Sequence, residues 1–141
     1  MAKTMTRTMT KLGETDLTLS SREEDIRGRS VIDSAGQKIG EVKDLMIDQG
    51  ESKVRFLDVA GGGVLGIGDK HSLIPVDAIT NIDDDNVYLS HGLEHVKGAP
   101  AYDPTVVPED TFFEDVYGYW GYSPYWTAGY MYPAYPTYRR I

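Results

Sequence analysis

Short apolar runs, each closed by turn-forming residues, recur roughly every ten residues between Ile26 and Leu93, and this spacing is what most narrows the folds open to the chain. Runs this brief suit strands better than packed helices. Arg29 to Ile32 and Lys38 to Ile47 flank Asp33-Ser34-Ala35-Gly36, which predicts a hairpin with Gly36 at positive φ. Val54 to Val59 follows the polar turn Gln49-Gly50-Glu51-Ser52, and Leu73 to Val76 and Val87 to Leu89 complete the set. Pro75 cannot donate to a ladder, which places its strand at an edge or a bulge. Five or six such strands predict a mainly β fold, a small closed or nearly closed barrel, because an open sheet leaves unpaired edges.

This unit sits between two dissimilar segments. Residues 1–19 are threonine-rich and carry Lys3, Arg7 and Lys11, with no acid before Glu14, and they predict a flexible polar tail. Ser20 and Ser21, each followed three residues on by Glu23 or Glu24, form a doubled capping-box pattern, and Gly28 limits any helix there to about one turn. The barrel is expected over residues 20–99. Residues 100–141 form a proline- and tyrosine-rich extension, and twelve of the fifteen aromatic residues lie between Phe112 and Tyr138. Within it Phe113, Val116, Tyr117 and Trp120 recur at helical spacing behind Pro108-Glu109-Asp110, predicting a short helix near residues 109–120 that Gly118 and Gly121 weaken.

Charge and cysteine usage narrow the function. The chain carries 22 acidic against 14 basic side chains, a formal charge of −8 that repels phosphate backbones, so nucleic acid is not an expected partner. Without cysteine there is no disulfide, no thiolate metal site and no thiol nucleophile, and a cytoplasmic setting is expected. No apolar run approaches 18 residues, so no membrane span is expected either.

The central zone resembles the PRC-barrel family. The features that carry the resemblance fall in the family's order: Ile26-Arg27-Gly28, the run from Asp33 through Gly36 and Ile39-Gly40 to Leu45, then Ile47-Asp48, Val54 to Val59, the glycine-rich stretch Gly61 to Gly68, and Ile74-Pro75. That family is named for the cytoplasmic domain of the photosynthetic reaction-centre H subunit, and a related barrel forms part of a ribosome maturation factor. Glu114-Asp115 and Tyr119-Trp120-Gly121 are similar to the aromatic helix end after the H subunit's barrel. The H subunit's transmembrane helix has no counterpart in the polar segment at this chain's start. The resemblance therefore implies a free-standing PRC-barrel protein without chemistry of its own.

Other motifs point less far. Gly61-Gly62-Gly63-Val64-Leu65-Gly66 fits GxGxxG, but a dinucleotide fingerprint needs a helix next, and Ser72 to Val76 reads as extended. Gly63 to Gly68 has phosphate-loop spacing, with Asp69 where the lysine belongs. His91 and His95 are four apart, as metal ligands on one helix face would be, yet Gly92 intervenes and no third ligand stands at a recognisable spacing. His71 is expected at the surface or against the glycine-rich loop. Asp83, Asp84 and Asp85 lack the Gly and Glu of a calcium loop and read as a solvated turn. No serine sits in a GxSxG elbow.

Neither a metal, a cofactor nor a catalytic residue is expected, and the chain is read as a non-catalytic protein-binding or assembly module, an adaptor, with a stress- or photosynthesis-related setting implied by the resemblance alone. Its partner-binding residues are expected in the aromatic extension: Phe112, Phe113, Tyr117, Tyr119, Trp120, Tyr122, Tyr125 and Trp126. So much aromatic surface left in water would be unusual, so a protein partner or a second copy, with a homodimer favoured, is expected to cover it. A small-molecule or metal-responsive sensor is the alternative. An RNA-processing or ribosome-maturation accessory is disfavoured by charge.

Overall fold

A computed structural model describes residues 9–12, 25–48, 53–61, 70–106 and 108–133. The chain runs β1 (Met9–Lys11), β2 (Ser30–Ile32), β3 (Lys38–Asp48), β4 (Lys53–Ala60), β5 (His71–Pro75), a 3-10 turn (Val76–Ala78), β6 (Ile79–Ile82), β7 (Asn86–Leu89), α1 (Leu93–Lys97), β8 (Ala101–Tyr102) and α2 (Asp110–Trp120). The strands form one sheet in the order β6-β7-β2-β3-β4-β5-β8, with β1 added to β3. Among the described residues β6 and β8 end the path, so the sheet does not close fully; the mainly β fold with a short C-terminal helix is the one the sequence predicts. Its core is completed instead by α2, which contributes Phe113, Val116, Tyr117 and Trp120 to the same cluster as Val31, Ile39, Leu57, Ile74 and Val87.

The predicted hairpin forms as its residues require. Gly36 sits at φ 86°, and the buried Asp33 carboxylate accepts the backbone N–H groups of Ala35 and Gln37 at 3.0 and 2.8 Å. Its other oxygen accepts the N–H of Leu93 at 3.0 Å, so one aspartate fixes both the turn and the start of α1. Gly40 lets β3 approach β4: an added Cβ would lie 2.7 Å from the Ala60 carbonyl oxygen.

β3 is too long to stay regular. Val42 pairs with Val59 and Asp44 with Asp58, leaving Lys43 as an extra residue; further on, Met46 pairs with Phe56 and Ile47 with Val54, leaving Arg55 as one. Such bulges bend a strand and re-aim side chains. They let the two strands curl around the core while Lys43 faces water and Arg55 is buried.

The half of β3 beyond β2 would carry an unpaired edge, and β1 covers it, with Met9 opposite Asp48 and Lys11 opposite Met46. This corrects the reading of residues 1–19 as polar tail throughout. The open edge supplies backbone partners that threonines and lysines can use, and Met9 and Leu12 pack against the core. The capping-box residues 20–24, the turn at 49–52 and most of the glycine-rich stretch (62–69) lie outside the described residues.

The helix predicted near 109–120 is α2. Gly121 does more than weaken it: at φ 85° it is the left-handed residue that ends it, with its N–H and that of Tyr122 both donating to the Tyr117 carbonyl. Pro75 lies at the end of β5, beyond the two-residue reach of β8, but it is buried, and α2 packs against its strand.

Candidate binding surface

The eight aromatic residues expected to bind a partner divide by depth. Phe113, Tyr117 and Trp120 are buried in the chain's own core, where Phe56 lies 5.5 Å from the Phe113 ring and 4.9 Å from that of Tyr117. This removes them from any partner-facing set. Helical spacing put them on one face, and α2 turns that face onto the barrel. Phe112, Tyr122, Tyr125 and Trp126 are half-buried against the same core. Tyr119 is 37 % exposed, yet its hydroxyl donates to the His95 carbonyl at 2.7 Å, in space that a side chain at Gly98 would fill. The premise that a second chain must cover these rings does not hold for the described residues, because the barrel covers most of them itself.

After Gly121 the chain, to Pro133, has no regular structure and lies across the barrel. Arg55 anchors it. The guanidinium is 2 % exposed, bonds the Asp48 carboxylate at 3.2 Å, and has the rings of Tyr125 and Tyr132 at 4.1 and 5.2 Å from its carbon. A charge buried this deeply needs both a counter-ion and polarisable neighbours, and the two tyrosines supply ring faces. The Tyr132 hydroxyl donates to the Val54 carbonyl at 3.1 Å, and that of Tyr130 to Asp77 at 2.9 Å. Burial raises the Asp77 carboxyl above its usual range, partly opposed by that hydrogen bond, and burial followed by the Asp77 charge raises the Tyr130 phenol. Two neighbours keep unmet polarity: Asp77 Oδ1 and the Tyr117 hydroxyl are buried without a hydrogen-bond partner. The contacts holding the segment are thus hydroxyls and ring faces on a polar patch, the manner in which a peptide docks.

The histidines come together, though not by lying on one helix. His91 precedes α1 and His95 lies within it, and their rings stack at 4.4 Å. The Trp120 ring stands nearly perpendicular to both, with centroids at 4.9 and 4.7 Å, and Tyr119 lies 4.5 Å from His95. Burial, then the neighbouring His91, lowers the His95 pKa below the ordinary imidazole value. No group of three or more His, Cys, Asp or Glu suited to a metal occurs among the described residues. His71 meets Asp58, with Nδ1 2.7 Å from the carboxylate, and the expectation that it lies against the glycine-rich stretch concerns residues outside those described. Asp83 is the working member of its acidic run: its oxygens accept from the N–H groups of Asp85 and Asn86 and from the Tyr88 hydroxyl, while Asp84 and Asp85 are exposed.

Sequence reasoning missed Arg55, Asp77, Tyr130 and Tyr132. A lone arginine inside an apolar strand was the available signal, since burial there demands a partner.

These features define a class: a small, incompletely closed β-barrel, sealed by one helix and strapped by an extended aromatic segment. The PRC-barrel domain profile matches residues 21–94, just over half of the chain, and the chain belongs to the PRC-barrel family. Among curated proteins none matches it. No helix of the described residues is long and apolar enough to cross a membrane.

Proposed function

We propose that this PRC-barrel protein is a non-catalytic binding or assembly module whose Arg55 surface receives an extended, tyrosine-bearing segment. The observation that carries this reading is the docking of residues 122–133, which lie without regular structure on Arg55, Asp77 and the Val54 carbonyl. A surface that accepts such a segment from its own chain has the shape and chemistry to accept the same segment from a second copy, and exchange between two chains would give the symmetric dimer. The protein acts on this reading in the cytoplasm as an adaptor, with a protein or itself as partner.

The test compares the full chain with one ending at Ser123, which keeps α2 and its core residues. The shortened chain is expected to bind a labelled peptide of residues 124–133, and light scattering of the full chain is expected to show a concentration-dependent dimer that the shortened chain does not form. A folded shortened chain that ignores the peptide would remove the basis for the reading.

A metal- or ligand-responsive sensor is the second reading, favoured by the stacked His91 and His95 rings beside the buried Trp120 indole, whose N–H has no partner.

A further inference from the structure

β8 with Asp103, Val106 and Pro108 forms one wall of an open groove of ≈ 460 Å³, and the first turns of α2 form the other; His71, paired with Tyr102, lies beside it but is not among its lining residues. Tyr102, Val106, Pro108 and Phe112 give it apolar surface, and Val106 is 56 % exposed. Three carboxylates line it, those of Asp103, Glu109 and Asp115, all exposed, and no basic side chain is among its lining residues. Nearby, the Lys11 ammonium donates to the carbonyl of Pro104, so a lysine already finds an acceptor on this stretch of linker.

We propose that this groove docks a cationic peptide segment of a partner protein, one with an apolar side chain between lysines or arginines. The occupant follows from complementarity. An apolar floor under a rim of one sign takes a ligand whose apolar group removes Val106 and Phe112 from water while its charges stay at the half-solvated rim. The groove's volume lies in the range that small ligands and side-chain clusters fill. Asp103 is held in place, since Thr105 donates to it from both backbone and hydroxyl, and those bonds keep its carboxyl below the ordinary range and therefore charged. Association is steered by charge and weakens with salt, because the three carboxylates are exposed. This proposal is independent of the Arg55 surface, which lies under a different segment.

The test titrates the full-length protein at low salt with labelled Lys-Leu-Lys-Leu-Lys, and with Lys-Gly-Lys-Gly-Lys as the charge-only probe. The leucine peptide is expected to bind about tenfold more tightly than the glycine peptide. Glu109→Gln with Asp115→Asn is expected to weaken it about tenfold, Val106→Ser several-fold, and Asp84→Asn with Asp85→Asn, which removes the same charge from a distant turn, less than about twofold. Equal binding of the two peptides, or equal loss in the two charge variants, would reduce the attraction to the chain's overall charge and overturn the proposal. Binding that appears only after Lys3→Glu and Arg7→Glu would overturn the partner, assigning the groove to the chain's own basic segment.

Discussion

The guanidinium carbon of Arg55 lies 4.1 Å from the centre of the Tyr125 ring, and this contact joins the middle of the sheet to the irregular segment that crosses it. A bulge makes it possible: as the extra residue between Val54 and Phe56, Arg55 drops out of the ladder with β3. If the ring face is what matters, Tyr125→Phe should be almost neutral, since the Met9 sulfur that its hydroxyl meets at 3.9 Å is a weak acceptor. Tyr125→Ala should cost about 1–2 kcal/mol. Tyr132→Phe should cost about 1 kcal/mol through the lost bond to Val54. Urea unfolding checks all three, and a neutral Tyr125→Ala would mean that the segment is not anchored at Arg55.

Gly40 tests the close approach of β3 and β4. Its absent side chain would stand 2.7 Å from the Ala60 oxygen and 3.1 Å from a Val59 methyl, and backbone cannot yield as a flexible side chain can. Gly40→Ala is expected to destabilise by about 1–3 kcal/mol. The same change at Gly118, where nothing lies within 4 Å, should stabilise slightly by favouring helix. Paired thermal melts are the measurement, and the prediction rests on the opposite signs.

The buried Asp58 and the half-buried Asp77 make an acid-side prediction. Burial raises Asp58, partly opposed by His71, and burial raises Asp77, partly opposed by Tyr130. Both bind a proton more readily folded than unfolded, so the stability they contribute is present below the ordinary carboxylate value and is lost as pH rises through the raised folded values. Asp83 acts oppositely. Burial pushes it up, but the donors from Tyr88, Asp85 and Asn86 outweigh that and hold it low, so its contribution disappears as pH falls through its folded value. Asp58→Asn with Asp77→Asn should therefore flatten the decline in urea midpoint that sets in as pH rises above the ordinary carboxylate value, and move the optimum upward. An unchanged profile would show that neither group is strained by burial.

What the sequence made legible was local. Strands β2 to β5 and β7 announce themselves as apolar runs between turn residues, and Phe113, Val116, Tyr117 and Trp120 declare α2 and its buried face. β6 was missed because a bulge between Ile79 and Asn81 breaks its alternation directly after a 3-10 turn. β1 and β8 are edge pieces whose residues are chosen by the vacant backbone beside them. Their pattern cannot be read without knowing that β3 and β5 lie open there. The binding surface was half legible. Composition pointed to the aromatic extension, but which rings face inward depends on where α2 docks, and the ring faces over Arg55 come from tyrosines about seventy residues away. Asp33, bonded to Leu93, is hidden for the same reason.

The histidine pair separates the adaptor from the sensor. His95 packs against His91, Tyr119 and Trp120, while His91 also meets Tyr122 and the Ser90 hydroxyl, so no carboxylate is among these ring and hydrogen-bond partners. Burial and the His91 charge depress His95, which means the unfolded chain takes up the proton first. Stability is then full above the ordinary imidazole value of 6.5 and falls as pH drops through it toward the folded value. His95→Phe keeps a stacked ring and should remove this part of the acid sensitivity, whereas a variant as sensitive as the parent would place its origin elsewhere. The same two residues decide about metal. Two imidazoles with no third ligand among the described residues form at best a weak site, so the purified protein is expected to carry no stoichiometric metal, and added zinc should leave the melting temperature unchanged. A zinc-dependent rise of several degrees, abolished by His91→Ala with His95→Ala, would transfer the weight of the argument from the adaptor to the sensor.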